Sequence, residues 1–119
     1  MRRIMASLAA LLLTLLVTAG CAGNPADSGG VETKTIEITI SGDSVTPNGA
    51  RIFIDHGQPV TLVVHADKPG EIHVHSSPEQ EFHYDSGTTT LPLTPIDRPG
   101  IVEVESHTLD KTIVQLEVR

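Results

Sequence analysis

Glu71, His73 and His75 occupy alternate positions in the stretch Gly-Glu-Ile-His-Val-His-Ser, residues 70 to 76. Alternate residues of an extended strand lie about 6.6 Å apart along its axis and point to the same face. The spacing therefore presents two imidazoles and a carboxylate together. A mixed nitrogen and oxygen donor set suits Cu(II), Zn(II) or Ni(II), and is typical of tetragonal copper. A third nitrogen must come from elsewhere in the fold; His83, in Glu-Phe-His-Tyr-Asp-Ser-Gly, is one loop candidate. The competing reading of the same residues is a solvated strand face whose histidines titrate near about pH 6.5.

Other chemistries find less support. There is no nucleophile elbow, no Gly-rich phosphate loop and no His-Glu-x-x-His pair, so the motifs of serine hydrolases, nucleotide-binding enzymes and zinc peptidases are missing. Ser106 and His107 are adjacent, and neighbours on a strand face opposite ways. No enzyme is expected. Phe53, Phe82 and Tyr84 are the only aromatic residues, too few for a platform on which bases stack. His56 sits in an Asp-His-Gly-Gln-Pro turn and His65 near the end of a strand, and neither has a spacing partner. Glu79 and Glu81 read as solvated loop charge, and Glu103 and Glu105 as the wet face of a strand.

The elements that must position these side chains read in twos. Ile36, Ile38 and Ile40 alternate with polar residues, as do Val60, Leu62 and Val64, then Ile72 and Val74, Val102 and Val104, and Val114, Leu116 and Val118. Such period-two rows are half-buried strands. Residues 51 to 54 and 88 to 93 are shorter candidates. Between them stand Ser-Gly-Asp, Pro-Asn-Gly, Asp-Lys-Pro-Gly, Asp-Ser-Gly and Asp-Arg-Pro-Gly turns. No helix is expected. Seven or eight short strands with frequent turns predict an all-β Greek-key sandwich.

The order Val-Thr-Pro (45 to 47), Ile-Asp-His-Gly-Gln-Pro-Val-Thr-Leu-Val-Val (54 to 64), a His-bearing strand, Arg-Pro-Gly-Ile-Val-Glu-Val-Glu-Ser-His (98 to 107) and a closing Val-Gln-Leu-Glu-Val strand resembles a bacterial cupredoxin-like domain. The likeness spans residues 34 to 119 and is greatest to domains of secreted bacterial proteins associated with iron and copper handling. It implies a cupredoxin-like sandwich with a ligand-bearing strand after the Pro-Gly, which makes His107 the preferred third ligand beside His73, His75 and Glu71. Blue-copper members carry a cysteine, then a histidine and usually a methionine on that strand. Here Ser106 stands at the cysteine position, Cys21 is the only cysteine, and Met1 and Met5 are the only methionines. A blue-copper centre depends on the cysteine sulfur, so blue-copper electron transfer is not expected.

The N-terminus carries the address. Arg2 and Arg3 precede an apolar run from Leu8 to Val17, then small residues and Cys21, the layout of a secretion signal. Thr-Ala-Gly-Cys (18 to 21) resembles the lipobox of bacterial lipoproteins, although Thr18 stands where that family usually has leucine. The resemblance implies removal of residues 1 to 20 and lipid attachment at Cys21. Residues 21 to 33 are rich in Gly, Ser, Asn, Pro and Asp and read as a flexible tether. Loss of Arg2 and Arg3, with no acid, takes the formal charge from −7 to −9. That balance disfavours nucleic acid and favours cations as partners. The chain is thus expected to be an extracytoplasmic, lipid-anchored sandwich that binds a transition metal, copper foremost. The alternative is a metal-free envelope interaction module on the same fold.

Overall fold

The computed structural model describes residues 29–119; the signal segment, Cys21 and the first part of the tether lie outside the described residues. Nine strands, and no helix among the described residues, build the molecule. They are β1 (Lys34–Ser41), β2 (Ser44–Thr46), β3 (Ala50–Ile54), β4 (Val60–Ala66), β5 (Gly70–Val74), β6 (Gln80–Tyr84), β7 (Gly87–Pro92), β8 (Gly100–Ser106) and β9 (Lys111–Val118). One sheet has the order β2-β1-β4-β7 and the other β3-β9-β8-β5-β6. The chain crosses between them after β2, β3, β4, β6 and β7, and two pairings, β1 with β4 and β3 with β9, are parallel. This is a β-sandwich.

The aliphatic rows meet between the sheets. Ile38, Leu62 and Val64 from the first sheet and Ile72, Val74, Val104, Val114 and Leu116 from the second are fully buried. Alternation drives this: a strand buries every second residue, and a row of β-branched side chains fits the pleated surface. The inward rows predicted from the sequence are the buried ones.

Two strands escaped the pattern. β2 is three residues long and has one buried side chain, Val45. β6 carries Glu79's neighbours Gln80, Glu81 and His83 on an edge, with only Tyr84 fully inward, so segment 80 to 84 is a strand and not a loop. Its pairing with β5 supplies the order that its own aliphatic content lacks.

Ile113 was outside the expected inward row, yet it is buried beside Val114. The register explains it. Val104 pairs with Val114 and Glu105 with Thr112, so Ile113 is the extra residue of a β-bulge. A bulge lets two successive residues oppose one and re-aims the strand.

The end of the sandwich beneath the candidate site is closed by an aromatic ring. Gly70 lies directly opposite Tyr84. A Cβ on Gly70 would fall 2.2 Å from the Tyr84 hydroxyl oxygen and 2.9 Å from Thr108 Oγ1. Only glycine lets the buried Tyr84 ring cross the strand there.

Candidate metal centre

The register of β5 with its two neighbours defines the site. On the outer face, Glu71 lies opposite His83 on β6, and His73 lies between Glu81 on β6 and Glu105 on β8. The ladder with β8 runs past the strand ends: the His107 N–H donates to the Glu71 carbonyl (3.0 Å) and the His75 N–H to the Glu103 carbonyl (2.8 Å). Three rows result: His107, Glu71, His83; then Glu105, His73, Glu81; then Glu103, His75 and, from the β5–β6 loop, Glu79. Imidazoles and carboxylates thus alternate across the upper two rows, because residues with the same parity share a face.

The loops are pinned at both ends of this array. Thr108 Oγ1 accepts the Glu71 N–H at 3.2 Å, which ties the turn carrying His107 to the start of β5. At the other end Gln80 clamps the β5–β6 loop. Its side-chain amide donates to Ser76 Oγ and to the Thr94 carbonyl, both at 3.1 Å, and its oxygen accepts the Thr94 N–H at 2.7 Å. Ser76 Oγ in turn donates to the Pro78 carbonyl at 2.6 Å. These bonds hold Glu79 beside the histidines.

His73 is the hub. Its Nε2 makes a close contact with Glu71 Oε1 and lies 3.7 Å from Glu81 Oε1. Its Nδ1 lies 3.2 Å from Glu79 Oε1. The ring is well covered, with 15% of the side chain exposed. The His107 ring stacks on it at 4.5 Å between centroids, with the planes 6° apart. His83 Nδ1 approaches the other Glu71 oxygen at 3.3 Å. His75 is separate: its ring is 6.3 Å from His73 and its Nε2 pairs with Glu105 Oε2 at 2.7 Å.

Donor atoms of Glu71, His73 and His107 all lie within 4.8 Å of one another, as do those of His73, Glu79 and Glu81. Of the four residues proposed as ligands, Glu71, His73 and His107 are therefore brought together, and His75 stands beside the group with a carboxylate of its own. Bonds to a copper- or zinc-type ion are about 2.0–2.1 Å long, so side-chain rotations are needed for these donors to close on an ion. The stacked rings define the main one. Imidazole lone pairs lie in the ring plane, so parallel rings aim them side by side rather than at one point. The exposed His107 ring can turn within its rotamers to converge. Two nitrogens and a carboxylate oxygen fit Cu(II) or Zn(II) by donor type.

The electrostatics follow the contacts. The hydrogen bond to Glu71 raises the His73 pKa above its ordinary value, aided by the charges of Glu81, Glu71 and Glu79 and opposed by desolvation. The hydrogen bond to His73 lowers the Glu71 pKa, with further help from His83, His73 and His107.

Glu79 and Glu81, read from the sequence as loop charge, belong to this array. Their signal was the odd-numbered spacing 79, 81, 83, which matches 71, 73, 75 once β6 is recognised as a strand. His65 has partners too: its Nε2 lies 2.7 Å from Glu37 Oε2 and its Nδ1 3.0 Å from Thr88 Oγ1, on the outer face of the other sheet. Ser106 is fully buried, and its Oγ accepts the Leu109 N–H at 3.3 Å.

The fold belongs to the cupredoxin-like β-sandwiches. A Cu(I) form of an amicyanin variant superposes with a TM-score of 0.52 at 12% identity, covering 71% of this chain and 82% of that one. A second amicyanin variant, in its reduced Cu(I) form at pH 4, gives 0.50 at 9% identity over the same shares. A multi-copper oxidase from Pediococcus acidilactici gives 0.55 at 16% identity; it covers 90% of this chain, which spans 30% of the oxidase. No protein-family model matches the chain, and no curated protein does.

Proposed function

We propose that the chain is a cation-binding envelope protein that holds a transition metal, copper foremost, at Glu71, His73 and His107. The observation that carries this reading is that donor atoms of two imidazoles and one carboxylate lie within 4.8 Å of one another. The copper proteins among the fold's neighbours support copper over other metals. When bound, the ion would supply a Lewis-acidic, nitrogen- and oxygen-ligated centre. Without a thiolate or thioether in the domain, it would not be a blue-copper electron carrier. The role is binding or delivery rather than catalysis, with no nucleic-acid partner, and Cys21 would carry the lipid that keeps the domain at the outer side of the membrane.

One observation favours the metal-free interaction module instead. His73, His75 and His83 each have a carboxylate within 3.3 Å, so these three histidines of the face are satisfied as a hydrogen-bonded surface. Calorimetric titration of the full chain with Cu(II) and Zn(II) at neutral pH separates the two readings. Saturable binding tighter than about 100 μM, weakened about tenfold or more by His73→Ala and unaffected by His56→Ala, is expected. No saturable binding, or equal losses from the two variants, favours the interaction module.

A further inference from the structure

Glu71 stands in the middle of its row, with His107 on one flank and His83 on the other. His83 is its direct partner across the β5–β6 ladder, and on the β8 side the His107 N–H donates to its carbonyl at 3.0 Å. Side chains so placed on neighbouring strands have Cβ atoms about 4.5–5.5 Å apart, which puts both imidazoles within reach of the carboxylate between them. That carboxylate meets a different histidine at each oxygen. Its Oε1 contacts His73 Nε2, and its Oε2 lies 3.3 Å from His83 Nδ1. An open depression of about 480 Å³ adjoins this row, and Glu71, His83 and His107 all line it, whereas His75, Glu79 and Glu81 do not.

Glu71, His73 and His107 supply three donors. A closed zinc-type site takes four, and so does the square plane of tetragonal Cu(II). We propose that His83 is the fourth ligand, turning in from the β6 edge to close the centre as three nitrogens and one oxygen. This inference rests on the metal-binding reading of the same face and adds the residue that completes it. A turn is required, because His83 is not among the residues whose donors already lie within 4.8 Å of one another. Its side chain is 81% exposed, so it can change rotamer without disturbing the core. The other candidates are worse placed. His75 Nε2 is held by Glu105 Oε2 at 2.7 Å, and Glu81 sits one row away, opposite His73. Catalytic metal sites keep a position open for substrate, and closed ones do not. A fourth protein ligand therefore suits a centre that holds its ion rather than one that reacts through it.

Electron paramagnetic resonance of the full chain loaded with Cu(II), read beside calorimetric titration with Cu(II), tests this. Nitrogen superhyperfine splitting counts the imidazoles on the ion. Three are expected in the unsubstituted chain and in His75→Ala. Two are expected in His83→Ala, with affinity lowered about tenfold or more. Free imidazole added to His83→Ala is expected to restore the three-nitrogen spectrum through the open depression, which it could not do if the substitution had merely damaged the fold. Two nitrogens in the unsubstituted chain, or a spectrum and affinity unaltered by His83→Ala, would leave the fourth position to water and overturn the proposal. Loss of a nitrogen in His75→Ala with none lost in His83→Ala would give that position to His75 and overturn it equally. Absence of saturable Cu(II) binding by the unsubstituted chain would instead defeat the underlying metal reading, an outcome seen before any substitution is made.

Discussion

At the scale of single residues, the Glu71–His73 pair sets the pH behaviour of the face. The His73 pKa is raised in the folded state, chiefly by its hydrogen bond to Glu71. Its contribution to stability is therefore complete below about 6.5, the pKa of an unfolded histidine, and is lost as pH rises through the folded value. The Glu71 pKa is lowered, so its contribution is complete above about 4.3 and is lost as pH falls through the folded value. The pair supports the fold most between those limits. Glu71→Gln is expected to lower the denaturant midpoint in that window and to converge with the unsubstituted chain as pH rises above the folded His73 pKa. Parallel curves at all pH values would show that the pair does not titrate as a unit. The same proton competes with a metal. Affinity for Cu(II) is expected to begin falling while the pH is still above about 6.5, and Glu71→Gln is expected to move the His73 titration, followed by its ring NMR signals, to lower pH.

At the scale of elements, the site is held by strand register and by one glycine. Gly70→Ala would push a methyl group into the Tyr84 ring, which is 4% exposed. A loss of about 1–3 kcal/mol is expected from this overpacking, with β5 displaced and metal affinity reduced in parallel. Denaturant unfolding together with calorimetry checks both effects. The core rows make a second, independent prediction. Val104 is fully buried and Thr39 is exposed on the outer face of β1. Val104→Ala is expected to cost about 1–3 kcal/mol and Thr39→Ala less than about 0.5 kcal/mol; equal costs would contradict the register.

At the scale of the whole molecule, the segment that leads into the sandwich bears on where the domain sits. β1 begins at Lys34, whose N–H donates to the Pro59 carbonyl at 2.8 Å, and the Gln58 side-chain amide donates to the Glu32 carbonyl at 2.8 Å. The chain before the sandwich is therefore tied to the β3–β4 turn. Two or more acyl chains at Cys21 would give stable anchoring where one would not. Cys21→Ala is expected to move the protein out of the membrane fraction or to leave it unprocessed, and mass spectrometry of the purified chain reads which. An unaltered mass and unaltered partition would remove the anchor from the proposal.

Much of this was legible in the residues themselves. Alternating Ile, Val and Leu rows specify strands and their inward faces because the strand period is two, and the buried residues of β1, β4, β5, β8 and β9 follow those rows. The same period placed Glu71 and His73 on one outer face. That residues 34 to 119 hold no cysteine is a fact of the sequence alone. What only the tertiary structure decided was how strands far apart in sequence line up. The pairing of β5 with β8 sets His107 against His73 and leaves His75 to Glu105. The pairing of β5 with β6 turns Glu79, Glu81 and His83 from loop charge into part of the array. The bulge that buries Ile113 arises from the β8–β9 register. Local alternation tells each strand which face is wet, whereas register is a relation between strands, settled by the packing of the whole core and by the turns that join them.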